Sequence, residues 1–234
     1  MLTIHQFISI QVHVPALGHL QARQYSLSQE PNTNKYRISI KREPGDTSVA
    51  GQPRAPGLIS NIMHDTKAVG DVVRVSHPFG DFFLDPDTNE KNPLVLLSGG
   101  VGLTPFVSML NTLVQRNAVR PITWIHGARS AQVRAFTEHV KSVAQAHENL
   151  KVTFFEDHPE EGEVEGKDFD KRGVVDIDQV DSGSLFLGDQ SAQYYICGPE
   201  GFMNKTEKDL IAKGVDPSRI YVEKFGTGGV QRTF

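Results

Sequence analysis

The stretch Leu94-Val95-Leu96-Leu97-Ser98-Gly99-Gly100-Val101-Gly102-Leu103-Thr104-Pro105 decides the architecture of this chain. Four apolar residues in a row read as a parallel strand buried on both faces. Glycines at 99, 100 and 102 then turn the backbone tightly, and Thr104-Pro105 opens a helix. Apolar residues at Phe106, Met109, Leu110 and Leu113 keep helical spacing along it. Thr104 is expected at the N-cap and Pro105 at the first helical position. The amides of such a turn, backed by the positive end of the helix, can take a pyrophosphate. The same residues serve equally well as a tight strand-to-helix turn with no ligand. The spacing also departs from G-x-G-x-x-G, and no acidic ribose partner stands at the usual distance.

Downstream of Pro93 the strand–loop–helix rhythm repeats. Strands are expected at Ile122–Ile125, Val152–Phe155 and Tyr194–Cys197. A helix capped by Ser130 is expected to run to about His147, with Val133, Phe136, Val140 and Val143 on one face. Another should run from about Glu200 to Lys213 and stop at Gly214. Residues 156–190, acidic and glycine-containing, read as a surface excursion with one strand or helix turn inside. Alternating strands and helices imply a doubly wound parallel sheet. Upstream of Pro93 the pattern is alternating and short, as in a small antiparallel barrel: Phe7–Val14, Tyr36–Arg42 and Asp71–Val75 read as strands. Residues 44–56, with three prolines and two glycines, read as a loop. The fold class expected is therefore β plus α/β, with residues 1–90 as the barrel and 91–234 as the α/β domain.

Bulk properties bound the function without choosing it. The chain has 234 residues, 38% hydrophobic and 22% charged, enough for a real core. A net charge of −4 gives no electrostatic footprint for nucleic acid or an anionic membrane. Cys197, the one cysteine, excludes an internal disulfide framework and suits a reducing compartment. No apolar run reaches membrane-spanning length and the first residues lack a signal peptide's pattern, so a soluble, cytoplasmic protein is expected. The nine histidines show no metal-ligand spacing, so no metal site is expected.

Three further segments bear on chemistry. Arg23-Gln24-Tyr25-Ser26 offers a planar fork for a phosphate, a ring for stacking and a hydroxyl, or an edge-strand arginine beside a core tyrosine. Gly57-Leu58-Ile59-Ser60-Asn61 reads as a helix start with Ser60 or Asn61 as cap, which could hold an anion or merely cap. Cys197-Gly198-Pro199 and Glu223-Lys224-Phe225-Gly226 follow in order. A lone strand-end cysteine is more often a buried thiol than a functional one.

Taken together, these segments resemble the ferredoxin-NADP reductase superfamily, most closely the reductase part of the flavohaemoglobins, the nitric oxide dioxygenases. The resemblance runs over essentially the whole chain. It is tightest in Arg23–Ser28, Ile40-Lys41-Arg42-Glu43, Gly57–Asp65, Pro78–Leu84, Leu96–Leu110, His126-Gly127-Ala128-Arg129 and Tyr194–Met203. It implies an FAD-binding barrel followed by a doubly wound NAD(P)-binding domain, and an NAD(P)H-dependent FAD oxidoreductase. In that family's pattern Phe7, Arg23, Gln24, Tyr25, Ser26, Lys41, Gly57, Ser60 and Asn61 surround the flavin. Gly99, Gly100, Val101, Gly102, Leu103, Thr104 and Pro105 match the nucleotide loop, and Ala128 and Arg129 its ribose side. Cys197, Gly198 and Pro199 would lie beside the nicotinamide, and Glu223, Lys224, Phe225, Gly226 and Thr227 near the flavin. Ser26, Cys197 and Glu223 are the residues implied at the point of hydride transfer.

Two departures accompany the resemblance. The 234 residues leave no room for a globin, so no haem is expected here, and the barrel is expected to lack two strands that the family places before Phe7. The coenzyme expected is NADH, with NADPH open because Arg129 could pair with a 2′-phosphate. The electron acceptor is left open between a globin or other redox protein, oxygen and a quinone. Two other readings stand beside this one: a non-catalytic NAD(P)-binding or interaction module whose flavin site is lost, and a flavin reductase that uses free flavin as substrate.

Overall fold

The computed structural model describes residues 7–31, 34–45, 55–84 and 91–224. Phe7–Val14 (β1) and His19–Ser26 (β2) form an antiparallel hairpin in which Phe7 faces Ser26 and Val14 faces His19. Gly18, at φ 69°, closes the turn between them in a conformation a side chain would strain. Ile8, Ile10, Val12 and Val14 alternate inward and are buried with Leu27 and Ile59, the latter from the helix Leu58–Thr66 (α1). Arg74–Val75 (β3) pairs with the other side of β1, giving the order β2-β1-β3.

Two expected strands are shorter than their pattern. Asp71–Val75 pairs only over Arg74–Val75, because Gly70 turns at φ 101° and Val72 is almost fully exposed. Tyr36–Arg42 forms no ladder and meets the sheet at a single bridge, Leu27–Ile38. Its attachment runs through Arg37 instead. The carbonyl of Arg37 accepts from the Ser28 amide at 2.8 Å, and its Nε donates to the Ser28 carbonyl at 3.0 Å. Much of the expected loop at 44–56 lies outside the described residues.

The second sheet is parallel throughout. In chain order it comprises Leu94–Gly99 (β4), the helix Thr104–Gln115 (α2), Ile122–Ala128 (β5), Thr137–Ala146 (α3), Leu150–Glu156 (β6) and Lys171–Arg172 (β7). Ser182–Leu185 (α4), Gln193–Cys197 (β8), Glu200–Ala212 (α5) and Ile220–Glu223 (β9) complete it. Its strand order is β7-β6-β5-β4-β8-β9. The chain works outward from β4, then returns to the other side of it with β8. The carboxyl ends of β4 and β8 are thus the topological switch point, where open α/β sheets form a crevice. Every residue of β4 is buried, as its apolar run requires. Leu96, Trp124, Phe154 and Tyr195 pack toward α2 and α3, and Leu97, Ile125, Phe155 and Ile196 toward Met203 and Leu210 of α5.

Helix ends differ from the sequence pattern in two places. Thr104 is the first helical residue rather than the N-cap: its hydroxyl donates to the Val101 carbonyl at 3.1 Å, while Leu103 occupies the cap. Ser130 caps no long helix, because Phe136 at φ 60° separates a short 3-10 turn at Ala131–Val133 from α3. The stop at Gly214 is as expected. Its amide donates to Ile211 and that of Val215 to Leu210, with Gly214 at φ 89°. Residues 156–190 are no mere surface excursion: Phe169, Val175, Ile177, Val180 and Leu185 are buried.

The first sheet keeps a core of its own, and the segment after β3 docks on the parallel sheet. Phe82 and Leu84 pack among the α2-side residues, and Phe82 meets Tyr195 edge to face at 5.3 Å. Ser108 donates to the Gln29 carbonyl at 2.6 Å, and Tyr195 Oη to the Phe83 carbonyl at 3.2 Å.

The segment after β5 is held by one buried cation. Arg134 lies 3.1 Å from the Glu156 carboxylate, stands over the Phe154 ring at 4.8 Å, and donates to Thr137 Oγ1 and the Asp168 carbonyl. Burial pushes the Glu156 carboxyl up while Arg134 pulls it down. Arg134→Met should strip the partner from a buried carboxylate and cost about 3 kcal/mol in chemical denaturation at pH 8. The loss should shrink at pH 5, where Glu156 can take up a proton; an equal loss at both values would show that the ion pair is not its source.

Candidate functional site

Two clefts meet where the sheets face one another. The first, about 360 Å³, is lined by Arg23, Gln24, Tyr25 and Ser26 of β2, by Ser39, Lys41 and Glu43, by Gly57–Ser60, and by Val101 and Thr104. The second, about 530 Å³, is lined by Gly99, Gly100 and Val101, by Gly198, Pro199, Glu200 and Met203, by Lys224, and again by Lys41 and Glu43. The shared residues Lys41, Glu43 and Val101 make the two clefts neighbours.

In the first cleft the Arg23 guanidinium donates to the Ala22 carbonyl at 2.7 Å. Burial pushes the Tyr25 hydroxyl up, against the pull of Arg23. Ser26 Oγ is buried and has no hydrogen-bond partner among the described residues. A buried hydroxyl left unpaired is costly, and it marks this wall as one prepared for a polar contact.

Ser60 and Asn61 act as donors rather than as caps of α1. Asn61 Nδ2 donates to the carbonyls of Gly57 and Glu43 at 2.8 Å each, and Ser60 Oγ donates to Gly57 at 3.3 Å. Gly57 itself is the cap, and a Cβ there would stand 2.6 Å from Ser60 Oγ. Asn61 lines a different groove, with Pro15, Pro56 and Asp65.

The glycines of the turn divide the work. Gly100, at φ 54° with open space around its Cα, faces the second cleft. Gly102 does not: a Cβ there would lie 2.1 Å from the Cys197 carbonyl oxygen. Its lack of a side chain lets the turn Gly100–Leu103 rest directly on the end of β8. Leu103 and Pro105 are buried in the core beneath.

Below the turn, register lines up four polar side chains on one face of the sheet. His126 pairs with Ser98, Ser98 with Cys197, and Cys197 with Glu223. Ser98 Oγ and His126 Nδ1 are 2.9 Å apart. Burial, then Arg134, pushes the His126 imidazole down to about 3, so it is neutral. Burial, then Glu223, pushes the Cys197 thiol well up. Burial, then Asp81, pushes the Glu223 carboxyl up to about 7. Glu223 also lines a third cleft of about 580 Å³ with Phe7, Phe79, Asp81, Phe82 and Tyr221.

The remaining expected residues scatter. Phe7 lies in this third cleft, edge to face with Phe79 at 4.2 Å, not in the cleft of Arg23–Ser26. Ala128 and exposed Arg129 follow at the end of β5, outside the linings of these clefts. Cys197 is fully buried, whereas Gly198 and Pro199 reach the second cleft. Phe225, Gly226 and Thr227 lie outside the described residues. Sequence reasoning passed over Glu43, Ser39, Glu200 and Asp81. Alternation was the usable signal for two of them, since Ser39, Lys41 and Glu43 fall on one side of their segment.

Glu223 gives a measurable sign. Its folded-state pKa lies above the ordinary carboxylate value of 4.5, so the native state holds that proton longer. Its contribution to stability is complete below pH 4.5 and is lost as pH rises through about 7. Thermal unfolding of Glu223→Gln should therefore gain on the unsubstituted protein between pH 5 and pH 8. Parallel curves across that range would show that the carboxyl is not buried as described.

Comparison with known proteins adds to this geometry. The family described as "Oxidoreductase NAD-binding domain" matches residues 96–208. A flavohemoprotein of Rhizobium meliloti is 41% identical over 221 residues, covering 94% of this chain and 52% of the relative. One from Bordetella pertussis is 43% identical over 226 residues, covering 96% and 53%. The chain thus spans about half the length of the curated relatives it matches. Among solved structures, the flavohem-like FAD/NAD-binding domain of nitric oxide dioxygenase from Vibrio cholerae is 31% identical with a TM-score of 0.78. It is matched over 94% of this chain and 84% of its own.

Proposed function

The chain belongs to the flavohaemoprotein-type FAD/NAD-binding reductase family, and from that premise we propose that it is an NAD(P)H-dependent FAD oxidoreductase. One observation carries the reading: the cleft walled by Arg23–Ser26 and the cleft over Gly99–Val101 share Lys41, Glu43 and Val101. Two dinucleotides held in them would lie side by side along that boundary. Residues 1–90 are assigned to the flavin and 91–234 to the nicotinamide nucleotide.

The residues present fit those groups. Ser26 offers an unpartnered buried hydroxyl, Arg23 a planar fork, and Gly100 an open backbone at the start of a turn that leads into α2. Bound flavin and nicotinamide supply the hydride acceptor and donor; the protein orients them and excludes water. In this reading Ser26 contacts the flavin ring from the wall of the first cleft. Cys197 supplies a neutral, polarisable thiol beneath the nicotinamide, because burial and Glu223 keep its proton on. Glu223, the register neighbour of Cys197 and pushed up to about 7, borders the third cleft and is the group there that can hold or release a proton near neutrality.

NADH is the coenzyme assigned, and haem is left to the acceptor. That acceptor is read as a globin or other redox protein, by analogy with relatives named flavohemoproteins, with oxygen and quinones as alternatives. Among the described residues no helix is long and apolar enough to cross a membrane, and a cytoplasmic setting is proposed.

Visible absorbance of the purified protein tests the reading. A flavin spectrum that bleaches on anaerobic NADH is expected. Protein that stays colourless with added FAD overturns it, and colourless protein that oxidises NADH only with free flavin replaces it by a flavin reductase. Arg129→Ala should raise KM for NADPH several-fold while leaving KM for NADH within twofold; equal effects would show that Arg129 does not pair with a 2′-phosphate.

A further inference from the structure

Glu43 stands where the two clefts join, and it is the charge that the proposed function leaves without a role. Residues 39–43 belong to no strand or helix, yet their alternate side chains share a side. Ser39, Lys41 and Glu43 face the clefts. Arg42, between them, turns away to Asp65 and Asn61 of α1, contacting the Asp65 carboxylate at 2.5 Å. Lys41 Nζ lies 3.0 Å from Glu43 Oε1.

The backbone of Glu43 is fastened to the first turn of α1. Its carbonyl accepts from the Gly57 amide at 2.9 Å and from Asn61 Nδ2 at 2.8 Å. The backbone of Glu43 is therefore fixed at the junction, and the long stem of Lys41 reaches its carboxylate there. Both side chains are about half exposed, 46% and 48%, so the pair is solvated and easily exchanged.

We propose that Glu43 is an internal competitor for Lys41, setting how tightly the second cleft takes a dinucleotide's phosphates. This rests on the dinucleotide reading of that cleft. A pyrophosphate over Gly99–Val101 can recruit Lys41 only by drawing it from Glu43, and the carboxylate then faces the incoming anion. Glu200, also in the lining, adds a second negative charge, and Lys224 a second positive one. The effect is a binding constant set weaker than the cleft's cations alone would give. That serves an enzyme that must release an oxidised nucleotide on every turnover.

The prediction has an uncommon sign: removing a charged residue from the site should improve binding. Isothermal titration of the full chain with ADP-ribose, which has the pyrophosphate but no redox ring, reads it directly. Glu43→Gln should tighten ADP-ribose three- to tenfold, with thermal unfolding unchanged. Lys41→Met should weaken it. In a Lys41→Met background, Glu43→Gln should gain clearly less than in the unsubstituted protein, because only the carboxylate's repulsion of the anion is left to remove. In NADH oxidation Glu43→Gln should lower KM and leave kcat equal or lower.

Equal affinities for Glu43→Gln and the unsubstituted protein, or an undiminished gain without Lys41, overturn the competition while leaving the dinucleotide cleft standing. ADP-ribose that fails to bind the unsubstituted protein at millimolar concentration overturns the cleft assignment as well.

Discussion

The contact on which the rest depends is that of a turn with a strand end. Residues Gly100–Leu103 lie against the carbonyl of Cys197 so closely that a Cβ at Gly102 would be 2.1 Å from its oxygen. Backbone at that distance cannot yield as a flexible side chain can, so the glycine is a packing requirement before it is anything else. It brings the end of β4, the start of α2 and the end of β8 to one point at the switch in strand order. Gly100 is thereby left on the open side, free to meet a ligand, and Val101 is carried to the boundary of both clefts. Gly99 and Gly198 extend the same economy: a Cβ on Gly198 would approach the Gly99 amide to 2.9 Å.

The α/β half was legible because its signals are local and redundant. A run of four apolar residues predicts β4, and burial of all six of its residues follows from helices on both faces. Gly214 announces the stop of α5 because the cap needs a left-handed residue there. Where reading failed, a nonlocal partner decided. Phe136 adopts φ 60° and divides the expected helix after Ser130, while Arg134 beside it reaches Glu156 on β6, 22 positions away and invisible to periodicity. The apolar residues of 156–190 stand among acidic residues and glycines that give the segment the look of a surface loop, yet Val175 and Ile177 pack behind β5 and β6.

The first sheet was harder to read for a related reason. Tyr36–Arg42 has the alternation of a strand and keeps its consequence, with Ile38 against the core and Lys41 in the clefts. It lacks the ladder, because its link to Ser28 uses the guanidinium of Arg37 as well as the main chain. The alternation survives in which side chains reach the cleft, so the site residue Lys41 could be placed without the strand being formed. Phe7 shows the opposite failure. Its strand was read correctly, but its ring packs on Phe79 and lies in the third cleft. Alternation says which face a residue takes and not which cavity opens there.

Charge is distributed across this region by depth. At the rim stand Lys41, Glu43, Glu200 and Lys224, exposed and free to exchange partners. Beneath the turn, at or near the carboxyl ends of the strands, His126, Ser98 and Cys197 are neutral at pH 7, and Glu223 is divided between its two forms. Burial produces this directly, since each group sheds charge in the direction that desolvation favours. A dinucleotide makes matching demands, with phosphates that need mobile cations and water, and a ring that needs a flat, weakly charged surface. The close turn over Cys197 separates the two environments by the thickness of one backbone. The cost of the arrangement falls on Glu223, the residue that cannot settle in one charge state, and whose register neighbour is the Cys197 thiol. A group left so balanced responds to any charge that forms beside it, and that responsiveness is a physical reason to find a carboxyl there rather than an amide.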